Sequence, residues 1–307
     1  MDERSALVNN TPLVSILMNC YNGEEFLHQA LKSILAQHYS NWEIVFWDNQ
    51  STDNSADIFK SYKDLRFKYF YANTHTVLYE ARNLAFTKCS GELVAFLDVD
   101  DWWNSEKLHT QVPLFNDNNI GISCTNYIKI NERESAVSEI VAYSSLPCKN
   151  VLNNLLDDYF VHMSTLVVRK IAIDKLEYVF DDRFDIIGDM DFVLRLSKNW
   201  EMGSIQLPMA YYRWHDNNTG YTSNYKISDE FNIWYSESKD KKEYNQALNF
   251  NKLVKKIELY NILKYLNDGE RIKALVNIKK ISPRQRIKLI VAVFLPNFLV
   301  KRLIKGI

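Results

Sequence analysis

The chain has 307 residues, 47% of them hydrophobic and 13% aromatic, with a formal net charge of −1. That is enough apolar residue for one large domain with an appendage. The near-neutral charge excludes a chain-wide nucleic-acid-binding surface, so no nucleic-acid partner is expected. The stretch "LVSILM" (13–18) then predicts a short buried strand. "EEFLHQALKSILAQ" (24–37) places Phe26, Leu27, Ala30, Leu31, Ile34 and Leu35 on one helical face. "EIVFW" (43–47) predicts a second strand, and "STDNSADIFKSY" (51–62) a helix that begins with cap-type residues. "RFKYFYA" (66–72) alternates like a strand, "VLYEARNLAFTKC" (77–89) is helical, and "ELVAFL" (92–97) is again a strand. This alternation predicts an α/β fold with a mostly parallel sheet flanked by helices.

Polar residues gather where these strands end. Asn19, Tyr21 and Asn22 follow the first, Asp48, Asn49 and Asp53 the second, and Asp98, Asp100 and Asp101 the strand ending at Leu97. Ligands of open α/β sheets bind outside the carboxyl ends of the strands. In "AFLDVDDWW" (95–103) a buried strand runs into carboxylates. Asp98 and Asp100 are spaced to reach one ion if the backbone turns, and carboxylate oxygens suit Mn²⁺ or Mg²⁺. The eight glycines lie too far apart for a dinucleotide fingerprint or a P-loop, so a bound diphosphate needs another device. A divalent ion would serve. The alternative for the acidic pair is a solvated turn.

Beyond residue 120, "IGISCTNYIKI", "MSTLVVRK" and "MAYYRWH" predict strands, and "MDFVLRLSKNW" a helix entered through Gly188 and Asp189. The four cysteines form no CxxC pair, which predicts free thiols in a reducing compartment. The first residues lack an apolar signal core, and no run reaches the roughly 18 apolar residues of a membrane span, so a cytoplasmic chain is expected. Charge is unevenly spread. Residues 251–307 carry a net +11 (14 basic against 3 acidic), and the first 250 a net −12 (23 against 35). A helix with Leu253, Ile257, Tyr260 and Lys264 on one stripe is expected to pack on protein. The apolar run from Leu289 to Val300 sits between Arg284, Arg286, Lys288 and Lys301, Arg302, Lys305. It suits an amphipathic element on an anionic membrane surface, through residues 283–307, or a packing helix.

"NCYNGEEFL", "DNQSTDNS", "ARNLAF" and "GELVAFLDVDD", in that order, resemble the nucleotide-binding half of the family 2 inverting glycosyltransferases of the GT-A fold. The resemblance runs through residues 12 to 105 and more weakly to about 225. It implies that Tyr21 packs near the nucleotide base, with Asn22 among the nucleotide-binding residues, and that Asp48 accepts hydrogen bonds from the base. Asp53 lies near the nucleotide or caps a helix. Arg82 and Asn83 match the family's "ARN", though "TVLY" stands where small residues usually precede it. Asp98 lies by the ribose and Asp100 ligates Mn²⁺ or Mg²⁺.

"IIGDMDFVLRLS" resembles the family's acidic segment, with Gly188 in the place of its Glu. Asp189 is then the catalytic base, Asp191 its rival, and helix capping the alternative for Asp189. "YYRWH" resembles the segment whose His, here His215, reaches the metal or diphosphate. Trp102 and Trp103 are expected to divide between an acceptor wall and packing. Implied throughout is an inverting, metal-dependent transferase. Its donor is a nucleotide sugar, with UDP as leaving group, and its acceptor a glycan or lipid-linked saccharide of bacterial surface assembly. It would be peripheral on the inner face of the cell membrane. The expected divisions are a donor half (1–105), an acceptor half (106–245) and a basic helical extension (246–307). The rivals are a sugar nucleotidyltransferase and a non-catalytic nucleotide-sugar-binding protein.

Overall fold

The computed structural model describes residues 11–131, 138–141, 145–215, 226–281, 283–295 and 300. The chain forms two compact units, one of residues 1–149, 161–180 and 199–215, the other of 150–160, 181–198 and 216–307. The helical unit includes two internal stretches besides the C-terminal segment.

The first unit opens with β1 (Val14–Cys20), α1 (Glu24–Leu35), β2 (Trp42–Asp48), α2 (Ser55–Ser61), β3 (Phe67–Tyr71), α3 (Leu78–Phe86) and β4 (Leu93–Phe96). The four strands are parallel in the order β3-β2-β1-β4. Strands covered on both faces read as continuous apolar runs, and β2 is buried at every position. On one face Ile16, Met18, Ile44 and Phe46 join Leu27, Ala30, Leu31 and Ile34 of α1 in a single core. These four α1 residues follow the i, i+3, i+4, i+7 spacing of one helical face, and each large aliphatic contributes about 1.5–3 kcal/mol on burial. Two residues leave the expected six-residue face. Leu35 is exposed, and Phe26 is half-buried against Arg213. The α2 helix begins at Ser55 rather than Ser51, because residues 51–54 are held by the neighbouring loop, as described below.

The sheet continues through β5 (Trp102–Trp103), α4 (Lys107–Gln111), β6 (Ile120–Asn131) and β7 (Ser138–Val141). After α5 (Leu152–Asp157) of the second unit come β8 (Val167–Arg169), α6 (Lys170–Asp174), α7 (Gly188–Ser197, second unit) and β9 (Glu201–Trp214). The strand order extends as β4-β8-β6-β9-β5, with β7 beside β6. Strand β8 runs antiparallel to β4 and β6, β9 parallel to β6, and β5 antiparallel to β9. The expected strand at 163–170 begins as a 3₁₀ turn, Met163–Thr165, because the Thr165 hydroxyl bonds back to the His162 carbonyl.

The second unit is helical: α5, α7, α8 (Lys226–Ser238), α9 (Lys242–Asn245), α10 (Phe250–Asn267), α11 (Arg271–Asn277) and α12 (Pro283–Phe294). The first half of α10 buries Leu253 and Ile257, as the stripe predicts. Its second half turns Ile262 and Leu266 into a core with Ala274, Ile278, Leu289 and Val293. Lys264 leaves the stripe and pairs with Asp229. No helix among the described residues is long and apolar enough to cross a membrane. The segment 296–299 and the basic residues Lys301, Arg302 and Lys305 lie outside the described residues.

Candidate active site

The carboxyl ends of β1 and β2 are joined loop to loop. Asn22 sits in the left-handed region at φ 55, which Asn tolerates better than most residues. Its N–H donates to Ser51 Oγ at 3.0 Å, and its Oδ1 accepts the Thr52 N–H at 2.8 Å. The Gly23 N–H donates to Ser55 Oγ at 2.9 Å. A Cβ at Gly23 would stand 3.0 Å from Val99 Cγ2 and 3.1 Å from Cys20 Sγ, so a larger residue would press those side chains back by a few tenths of an ångström. Asp53 Oδ2 accepts the Glu24 N–H and its Oδ1 the Ser55 N–H, while Glu24 Oε2 accepts the Asn54 N–H. The Asp53 carboxylate therefore fastens the starts of two helices.

Tyr21 projects from this edge, 53% exposed as a residue, with its ring centred 4.3 Å from the His75 ring. Asp48, at the end of β2, is fully buried. Its Oδ1 accepts the Ser51 N–H at 2.7 Å and its Oδ2 the Tyr69 hydroxyl at 2.7 Å. Asp48 thus shapes the loop from below. Asn49, next in the chain, bonds Thr76 through its side chain, and its carbonyl lies 2.8 Å from His75 Nδ1. His75 was not singled out from sequence; a lone histidine in a polar loop carries no local signal.

The turn after β4 gathers the charges. Arg82 of α3, 5% exposed, donates to Asp98 Oδ1 at 2.6 Å. Asn83 instead bonds the Phe180 backbone in both directions and is structural. His215 Nε2 lies 3.1 Å from Asp100 Oδ2. Asp101 was not assigned a role from sequence, yet it is the pin of the turn. It is 1% exposed, accepts Ser164 Oγ at 2.5 Å and the Arg213 N–H at 3.1 Å, and lies 3.8 Å from His162 Nδ1. Burial, then the charges of Asp100 and Asp98, push its carboxyl well above the usual range. Burial likewise lowers the His162 imidazole, with Asp98 and Asp100 pulling the other way.

Arg213 ties this turn to α1 and β5. Its Nε donates to the Asp100 carbonyl at 2.9 Å and its Nη2 to Gln29 Oε1. Its guanidinium lies 4.5 Å from the Phe26 ring centre and 4.8 Å from that of Trp102. The two tryptophans differ. Trp102 is half-buried and stacks on Tyr211 at 5.1 Å and 7°. Trp103 is core, with Nε1 donating to the Ser164 carbonyl at 2.7 Å. Trp103 is thus a packing residue, and Trp102 is the more accessible of the two.

In the helical unit, Glu230 of α8 accepts the N–H groups of Asp185, Ile186 and Ile187 at 2.8, 2.9 and 3.0 Å. This fixes the turn that delivers Asp189 at the start of α7. Asp189 is partly exposed and accepts the Met190 N–H at 2.8 Å. It lines a cavity of about 250 Å³ whose walls include Leu155, Ile186, Met190, Phe231 and Tyr260. Its rival Asp191 is 4% exposed, with Oδ2 on Arg195 Nε at 2.7 Å and Oδ1 on Trp234 Nε1 at 3.1 Å. Both Asp191 oxygens are used inside the fold.

Among the described residues no group of three His, Cys, Asp or Glu side chains is arranged to hold an ion. A divalent ion that shares its shell with diphosphate oxygens needs only one or two protein ligands. The Asp100–His215 pair has the right donors for that, and an imidazole beside a carboxylate suits Mn²⁺ better than Mg²⁺.

The model of glycosyl transferase family 2 matches residues 15–169, and the chain belongs to that family. It is 34% identical to UDP-Glc:alpha-D-GlcNAc-diphosphoundecaprenol beta-1,3-glucosyltransferase WfgD of Escherichia coli, over 56% of this chain and 66% of that protein. The chain spans just under two thirds of the length of the first curated relatives it matches, 61–66%. The S. aureus TarS 1-349 complex with UDP-GlcNAc shares the fold at TM-score 0.66 and 18% identity, over 91% of this chain and 86% of that one. So does the mannosyltransferase PcManGT of Pyrobaculum calidifontis in complex with GDP-Man and Mn2+, at TM-score 0.62 and 17% identity, over 95% and 85%. These likenesses bear out the GT-A fold expected from the sequence.

Proposed function

We propose that the chain is an inverting, divalent-metal-dependent glycosyltransferase that takes a sugar from a UDP-sugar. The acceptor is a hydroxyl of a glycan or lipid-linked saccharide in bacterial surface polysaccharide or oligosaccharide assembly. The observation that carries this reading is the acidic turn after β4, where Arg82 holds Asp98, His215 meets Asp100, and Asp101 is pinned below. Residues 1–105 form the donor half and 106–245 the acceptor half. The activity of the E. coli relative supports a UDP donor and a diphosphoundecaprenol-linked acceptor.

The chemistry assigned to the chain is a direct displacement. The acceptor oxygen bonds to the anomeric carbon as the bond from that carbon to the diphosphate oxygen breaks. The proton of the acceptor hydroxyl passes to Asp189. Asp98 and Tyr21 hold the nucleoside, and Trp102 offers an aromatic face to a sugar. When bound at Asp100 and His215, a divalent ion offsets the charge on the departing diphosphate. The basic C-terminal helices keep the protein at the inner membrane surface.

The test supplies UDP-glucose and UDP-N-acetylglucosamine with Mn²⁺ and a short-chain polyprenyl-diphosphate N-acetylglucosamine acceptor. UDP release coupled to a product of inverted configuration is expected. Absence of both transfer and slow UDP-sugar hydrolysis, in a protein that still binds UDP, would make it a binding protein instead.

A further inference from the structure

We propose that the outer faces of α11 and α12 together form a docking surface for an anionic lipid bilayer. This deepens the membrane reading above. On α11, Ala274 is buried while Ile272, Leu275 and Val276 are 81%, 47% and 56% exposed. On α12, Leu289, Ala292 and Val293 are buried while Ile287, Ile290, Val291 and Phe294 are 71%, 41%, 52% and 75% exposed. The exposed residues follow i, i+3, i+4 and i, i+3, i+4, i+7, so each helix carries a second apolar face opposite the one in the core. Single exposed aliphatics are ordinary, but two consecutive helices with such stripes make a surface that water does not favour.

The pair is held as one element. Arg271 at the start of α11 donates to the carbonyls of Val293 and Leu295 at the end of α12. Arg286 donates to the Ile281 and Lys279 carbonyls before it. Residues 271–295 contain seven Lys or Arg and no Asp or Glu. Lys273 and Lys280 pair with Glu270 and Glu258 just outside the stretch, and the surplus of the remaining cations decides the occupant. A second copy would bring the same cations against these, whereas an anionic leaflet complements them. A helix of 12 residues is about 18 Å long and cannot span a hydrocarbon core of about 30 Å, so it lies in the interface.

The experiment is flotation of the full chain with vesicles of phosphatidylcholine alone and with added phosphatidylglycerol. Binding is expected on the anionic vesicles and is expected to weaken with salt. The double variant Ile287→Ser/Phe294→Ser should bind at least about tenfold less. The double variant Lys279→Ser/Lys288→Ser should lose about fivefold per charge on anionic vesicles and nothing on neutral ones. All four positions are exposed, so thermal melting should stay unchanged. Wild-type indifference to phosphatidylglycerol, or unaltered flotation of the apolar variant, overturns the proposal. So does a lipid-free dimer that the apolar variant dissolves, which gives the face to a second copy. Turnover with a water-soluble acceptor, measured on the same variants, reports on the transferase reading separately.

Discussion

His215 Nε2 stands 3.1 Å from Asp100 Oδ2, joining the end of β9 to the turn after β4 across 115 residues of chain. Neither element makes the contact alone. Arg213 brings them together, its N–H on Asp101 Oδ1 and its Nε on the Asp100 carbonyl. If this pair holds the ion, Asp100→Ala and His215→Ala should each weaken Mn²⁺-dependent UDP binding by about tenfold or more, the aspartate more strongly because it brings the charge. Titration calorimetry with Mn²⁺ and with EDTA measures this. An Asp100→Ala protein that binds Mn²⁺ and UDP like the unaltered chain sinks the assignment.

Asp189 and Asp191 separate by environment. Asp189 is partly exposed at a cavity, whereas Asp191 is enclosed with Arg195 and Trp234. Asp189→Asn should preserve melting temperature and UDP binding while transfer falls by about 10²-fold or more. Asp191→Asn removes one partner of a buried ion pair and should cost about 3 kcal/mol or more of stability. Single-turnover rates and urea unfolding on both variants decide it. A stable, inactive Asp191→Asn beside an active Asp189→Asn would exchange the two roles.

Lys107 of α4 is fully buried, with Nζ donating to Gln111 Oε1 at 2.7 Å and lying 4.3 Å from the Trp103 ring centre. Burial pushes its ammonium well below the usual value. The unfolded chain keeps that proton to about pH 10.4, so between the two values it binds more protons than the folded chain. Stability from this group therefore rises with pH through that window, is complete above about pH 10.4, and is lost as pH falls through the folded value. Urea midpoints of the wild type should climb relative to those of Lys107→Met between neutral pH and pH 10. Parallel curves for the two proteins would show that Lys107 does not titrate this way.

The first four strands and their helices were legible because runs such as "EIVFW" and the 27, 30, 31, 34 spacing encode burial on a fixed period. Residues 51–54 read as the start of a helix, since capping residues look alike whether they cap their own helix or, as Asp53 does, also the N-terminus of α1. The segments that carry Asp98, Asp100 and His215 stood out through the family's motifs, and the structure brings Asp100 and His215 together. The work of Asp101 was not legible, because its partners Ser164 and Arg213 lie 63 and 112 residues away. Nor could sequence show that Asp48 is sealed by Tyr69, or that Glu230 shapes the turn before Asp189. Those are tertiary contacts with no local period.

The adjacent tryptophans give the last prediction, since strand alternation sends them to opposite faces. Trp103 is 3% exposed, its N–H donates to Ser33 Oγ, and its Nε1 donates to the Ser164 carbonyl. Trp103→Ala should open a cavity beneath the Asp101–Ser164 contact and cost about 3–5 kcal/mol. Trp102 is half-buried between Tyr211 and the Arg213 guanidinium. Trp102→Ala gives up one stacked pair and one cation–π contact, about 1–2 kcal/mol in all. Its larger effect should fall on function, because Arg213 holds the Asp100 carbonyl. Calorimetric melting together with Mn²⁺–UDP titration tests the division. A large stability loss in Trp103→Ala and a loss of affinity without unfolding in Trp102→Ala are expected. Equal melting of the two variants would mean that the pair acts as one packing unit, and would remove Trp102 from the proposed sugar site.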